Sequence, residues 1–118
     1  MKYLKTIENL FEKARNNNDG VANINGRPSY YFGEKGELQS KYRITFTANN
    51  IFMEHWGTEI IDINTAEKQV VAWYGESNSD RDAINMLLYL LSMDHKYLAI
   101  YRPSNVGFKV VKVEPKNA

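Results

Sequence analysis

Between residues 3 and 16 the apolar positions Leu4, Ile7, Phe11 and Ala14 recur at three- and four-residue spacing, which places them on one face of an amphipathic helix. The run Asn16-Asn17-Asn18-Asp19-Gly20 ends it, because Asn and Gly tolerate the left-handed backbone found past helix termini. From Tyr42 the period changes to two. In Tyr42-Arg43-Ile44-Thr45-Phe46-Thr47 apolar side chains alternate with Arg and Thr, the pattern of a half-buried strand. Asn49-Asn50 predicts a turn and Ile51 to Trp56 a hairpin partner. Thr58 to Asn64 and Gln69 to Tyr74 predict two more strands, joined at Thr65-Ala66-Glu67-Lys68.

Helical spacing returns at Ile84, Leu87, Leu88 and Leu91. Just before it, Ser79-Asp80-Arg81-Asp82 predicts a helix start, with Ser79 as N-cap, Asp82 closing a capping box and both aspartates favoured by the helix dipole. A last hairpin is expected from Tyr97 to Tyr101 and Phe108 to Val113, with a loose tail over residues 115–118. The region from 21 to 40 is irregular. Asn25-Gly26, Gly33 and Gly36 mark turns between short edge strands, with a mobile loop expected around Glu34, Lys35 and Glu37. Helix, strands, helix and two strands, without βα alternation, predict an α+β domain spanning 1–118: an antiparallel sheet of four to seven strands with both helices on one face.

Composition narrows the function classes. A length of 118 residues suits one domain with its own core, and the absence of cysteine excludes disulfides, thiolate nucleophiles and cysteine zinc sites. Fifteen Lys and Arg balance fourteen Asp and Glu, with no charged block. That disfavours both a dedicated duplex-DNA binder and an acidic mimic of phosphate. The amino-terminal run, interrupted by Glu8, Glu12 and Lys13, is not a signal-peptide pattern, and the longest apolar stretch is Met86 to Leu91. A soluble protein of a bacterial cytoplasm, with no membrane partner, is expected.

Candidate chemistry is sparse. His55 and His95 have no metal-ligand spacing; no cofactor or metal is expected, and Asp80 and Asp82 are better read as helix capping than as Mg²⁺ ligands. The glycines form no phosphate loop, and no nucleophile elbow is present. The chain is instead rich in Tyr, which together with Arg and Trp anchors interfaces. Arg27, Tyr30 and Tyr31, with Glu34, Lys35 and Glu37, are therefore the candidate partner-binding residues.

The residues His55-Trp56-Gly57-Thr58, Ile60-Ile61 and Tyr74-Gly75-Glu76-Ser77-Asn78-Ser79-Asp80-Arg81-Asp82-Ala83-Ile84-Asn85 together resemble a family of small proteins from phages and integrated elements of Gram-positive bacteria. The likeness covers about a third of the chain and brings no catalytic residue. It implies a context in which compact proteins bind and disable host defence enzymes, as anti-CRISPR proteins do. His55, Arg81 and Asn85 are expected to form a polar network between strand and helix. The expectation is a non-enzymatic inhibitor of a host defence nuclease such as Cas9, as monomer or homodimer. Two alternatives stand beside it. One is a single-stranded nucleic-acid binder using Arg43, Thr45 and Thr47 on the sheet face; the other is a small hydrolase or metal-dependent nuclease around His55 and Asp62.

Overall fold

The computed structural model describes residues 2–28 and 38–116. Helix α1 (Lys5–Asn16) buries Ile7, Leu10, Phe11 and Ala14, the predicted stripe with Leu10 added and Leu4 moved to the N-cap. Five strands follow, all antiparallel to their neighbours and laid side by side in chain order: β1 (Val21–Pro28), β2 (Leu38–Phe46), β3 (Asn50–His55), β4 (Thr58–Asn64) and β5 (Gln69–Trp73). Chain order equals spatial order because each connection is short, and a short connection between strands forces an antiparallel neighbour.

The period-two pattern places Ile44, Met53 and Ile61 in register on one face, and Phe46, Ile51 and Ile63 beside them. Helix α2 (Asn78–Leu90) buries Ala83, Ile84, Met86, Leu87 and Leu88, and both helices join the sheet's inner face in one apolar cluster. The other face carries exposed or half-buried Asn23, Arg43, Thr45, Phe52, Glu54 and Asp62. This is the α+β architecture expected.

The seven strands nevertheless divide. Strands β6 (Tyr97–Pro103) and β7 (Lys109–Pro115) form a separate hairpin rather than extending the first sheet. Their inward Ala99, Val111 and Val113 pack into the common core. Two contacts fix this hairpin. The Asn85 amide of α2 donates to the Ala99 carbonyl and accepts from the Ala99 N–H, at 2.9 and 2.8 Å. The Val111 N–H donates to the Gly75 carbonyl at 2.9 Å, just beyond β5. Pro115 belongs to β7, opposite Tyr97, and the Lys116 N–H donates to the Lys96 carbonyl, so strand pairing reaches into the stretch expected to be a loose tail. Among the described residues no helix is long and apolar enough to cross a membrane.

Candidate functional site

The end of the sheet where β3 turns into β4 meets the start of α2, and the polar chemistry of the protein gathers there. His55 closes β3, on the same side of the strand as buried Ile51 and Met53, which directs its ring inward. Trp56 and Gly57 make the two-residue turn to Thr58, with φ of 53° and 79°. Two successive left-handed residues are what a tight hairpin of this twist requires. Glycine takes that backbone freely, whereas a bulky tryptophan does so only at a cost. The turn leaves Trp56 about half exposed.

On the helix side, Ser77 is the N-cap: its hydroxyl accepts the Asp80 N–H at 3.1 Å. Asp80 reaches back in turn and accepts the Glu76 N–H through Oδ2 at 2.9 Å. The capping box expected at Ser79 and Asp82 is thus displaced by two residues, and Asp82 instead accepts from its neighbour Arg81, at 3.1 and 2.9 Å from the two guanidinium nitrogens. The displacement leaves Asp80 Oδ1 pointing at β3, 2.6 Å from His55 Nδ1, with both side chains almost wholly buried.

Burial pushes the Asp80 carboxyl up. The hydrogen bonds from His55, the Glu76 N–H and Ser77, together with the His55 charge, outweigh it, so the group titrates below the usual carboxylate range. An ionised carboxylate only accepts, so the proton between the two residues belongs to His55 Nδ1. Nε2 is then the free nitrogen of the ring. Among the described residues every buried side-chain nitrogen and oxygen has a partner, and none of them hydrogen-bonds Nε2. His55 lines a cleft at this end of the sheet.

The imidazole is held by flat faces. Tyr42 stacks on it with centroids 4.4 Å apart and planes 6° from parallel, and Trp56 lies 5.9 Å away at 30°. Burial, then the charges of Asp80 and Asp82, push the Tyr42 phenol up, so it stays neutral beside the pair. The cleft has a volume of about 590 Å³ and is shared with Lys41, Thr58, Tyr74, Glu76, Ser77 and Ser79. Tyr74 donates to the Glu76 carboxylate at its rim.

The expected network of His55, Arg81 and Asn85 is not what assembles. His55 pairs with Asp80, Arg81 with Asp82, and Asn85 with the backbone of Ala99. Asp62, proposed beside His55 for hydrolysis, alternates with buried Ile61 and Ile63 and so lies on the other face, where it accepts from Asn50 at 2.8 Å. Among the described residues no hydroxyl hydrogen-bonds His55, and no three His, Asp or Glu converge as metal ligands. His95 is exposed in the turn before β6. Tyr30, Tyr31, Glu34, Lys35 and Glu37 lie outside the described residues, and Arg27 is described only as a backbone position in β1.

Sequence reasoning missed Asp80 as the partner of His55, and Lys41, Trp56 and Tyr74 as its neighbours. The available signal was that His55 and Asp80 fall within the same resembled pattern. In comparisons with known proteins, no family model, no curated protein and no solved structure matches the chain.

Proposed function

We propose that the protein is a non-enzymatic binding protein of a phage or mobile element that inhibits a bacterial defence nuclease of the CRISPR type by occupying its surface. The observation that supports protein binding most directly is β5. Among the described residues it closes the sheet, with a ladder partner on one side only, and Gln69-Val70-Val71-Ala72-Trp73 contains no charge and no proline. Val71 and Trp73 are 58% and 46% exposed. Natural edge strands are ordinarily guarded by charge, proline or a covering element, because an open apolar edge recruits another chain. An edge without these guards suits a partner that adds a strand or lays an apolar surface across it. The host context rests on the resemblance of residues 55–88. Arg27 in β1, the opposite edge strand, and Tyr30 and Tyr31, which lie outside the described residues, are the second set of candidates.

The nucleic-acid alternative has less support. On the open sheet face Arg43 stands opposite Glu54, Glu54 opposite Glu59, and Asp62 is close by. Burial, and after it the charges of Asp62 and Glu54, push the Glu59 carboxyl up, and the three carboxyl groups outnumber Arg43 on this part of the face. Such a face repels a phosphate backbone.

Affinity purification of the tagged protein from a nuclease-treated lysate of a CRISPR-bearing Gram-positive bacterium tests this. The expected result is stoichiometric recovery of a defence nuclease, lost with the Val71→Lys, Trp73→Ala double variant. An eluate rich in nucleic acid and free of a protein partner overturns the proposal. Loss in Tyr30→Ala, Tyr31→Ala alone moves the interface from β5 to the segment that carries these tyrosines.

A further inference from the structure

The cleft beside His55 has a chemistry that docking at β5 leaves unused. Its floor is an imidazole fixed through Nδ1 by a buried carboxylate, and no described residue hydrogen-bonds its Nε2. Pre-orienting a polar group in this way is how a binding site selects a ligand with a matching partner. Its wall is Trp56, whose indole rests flush on the backbone of Gly26: a Cβ at Gly26 would stand 2.4 Å from the ring. That packing, with the left-handed turn, holds an exposed aromatic face in one position before any ligand arrives. Such preorganisation lowers the entropic cost of stacking a flat ligand.

The remaining groups narrow the ligand further. Ser77, Ser79 and Thr58 bring hydroxyls, and Glu76 a carboxylate acceptor, all suited to the hydroxyls of a sugar. Lys41 brings one positive charge to the cleft and Glu76 one negative, while the Asp80 carboxylate is turned to His55 and the Glu76 N–H. That balance disfavours a phosphate group. A cavity of about 590 Å³ lies within the range of small-molecule sites.

We propose that this cleft binds a nucleoside, with the base stacked on Trp56, the base edge hydrogen-bonded to His55 Nε2, and the ribose against the hydroxyls at the start of α2. The shared chemistry, a nucleobase, is also offered by single-stranded nucleic acid. The charge balance selects the free nucleoside. The site is independent of β5, so each proposal stands or fails without the other.

The test is a fluorescence titration of the purified full chain carrying Trp73→Phe, which leaves Trp56 as its sole tryptophan. Adenosine, guanosine, cytidine and uridine are added separately, each matched against its 5′-monophosphate and against a homopolymeric oligonucleotide. At least one nucleoside is expected to quench Trp56 saturably and to bind more tightly than its monophosphate. His55→Gln is expected to weaken that binding about tenfold, as loss of one well-placed hydrogen bond does. Because His55 is buried and the variant can lose its fold, the wild-type chain with ¹⁵N-labelled histidine supplies a second readout. The Nε2 resonance of His55 is expected to move on adding the same nucleoside, while that of exposed His95 stays. No saturable quenching by any nucleoside at millimolar concentration overturns the proposal. So does an unmoved His55 resonance, or tighter binding of the monophosphate or oligonucleotide than of the nucleoside.

Discussion

His55 Nδ1 and Asp80 Oδ1 stand 2.6 Å apart, joining the last residue of β3 to the first turn of α2 across 25 residues of chain. The pair is buried, hydrogen-bonded on both carboxylate oxygens and covered by Tyr42, so it fixes the helix start against the end of the sheet. A pH dependence follows from it. Because the folded chain holds the Asp80 carboxyl below its ordinary value of 3.8, folding favours the ionised form. The corresponding stability is fully present above that value and is lost as pH falls through the lower, folded one. Asp80→Asn removes it at every pH. Urea denaturation of both proteins is expected to show a gap at neutral pH that narrows below about pH 4. A gap that stays constant down to acid pH would mean that the Asp80 charge contributes nothing to folding.

The helix cap gives a sharper comparison, because two serines compete for it. Ser77 accepts the Asp80 N–H, whereas Ser79 is an exposed residue of the first turn. Ser77→Ala is expected to cost about 1 kcal/mol, within the usual range for a lost N-cap. Ser79→Ala is expected to change stability by less than about 0.5 kcal/mol. Thermal denaturation of the two variants decides it, and equal losses would contradict the assigned cap.

The same two serines show where sequence pattern runs out. Ser77-Asn78-Ser79-Asp80 and Ser79-Asp80-Arg81-Asp82 both fit a Ser-x-x-Asp cap, so local spacing gives no reason to choose. The choice is made by Asp80 meeting His55, a contact that no local pattern contains. Strands β2 to β5 were legible because alternation is local and each pairs with its chain neighbour. β1 was legible only as a short edge strand, since Asn25-Gly26 reads as a turn; pairing with β2 keeps it extended to Pro28, with register shifts around Asn25. The separation of β6 and β7 was hidden, because it depends on contacts with Asn85 of α2 and with Gly75 that no local pattern contains.

The Asn85 amide imitates a neighbouring strand by satisfying both the N–H and the carbonyl of Ala99. Asn85→Ala leaves two backbone groups of buried Ala99 without partners, an expected loss of about 2–4 kcal/mol. Hydrogen exchange distinguishes this from general loosening. The Ala99 amide should lose protection to a greater extent than amides of β3, whereas a uniform decrease would show that Asn85 acts on the whole core.

Gly75 is the other hinge between the two sheets, and its demand is for space. Its carbonyl accepts from the Val111 N–H, and an added Cβ would stand 2.7 Å from Val111 Cγ2 and 3.0 Å from Asp80 Cβ. Neither neighbour yields easily, since Val111 is 3% exposed and Asp80 is held by His55 and Glu76. Gly75→Ala is therefore expected to cost about 1–3 kcal/mol through overpacking. The mechanism is testable by a double-mutant cycle. Val111→Gly alone should also destabilise, by emptying core volume, but it removes both Cγ2 and Cβ, the two Val111 atoms that an alanine at 75 strikes. The double variant should then lose less than the sum of the singles, by at least about 0.5 kcal/mol. Strict additivity would mean that Gly75 is required for its backbone geometry rather than for the approach of β7 to the start of α2.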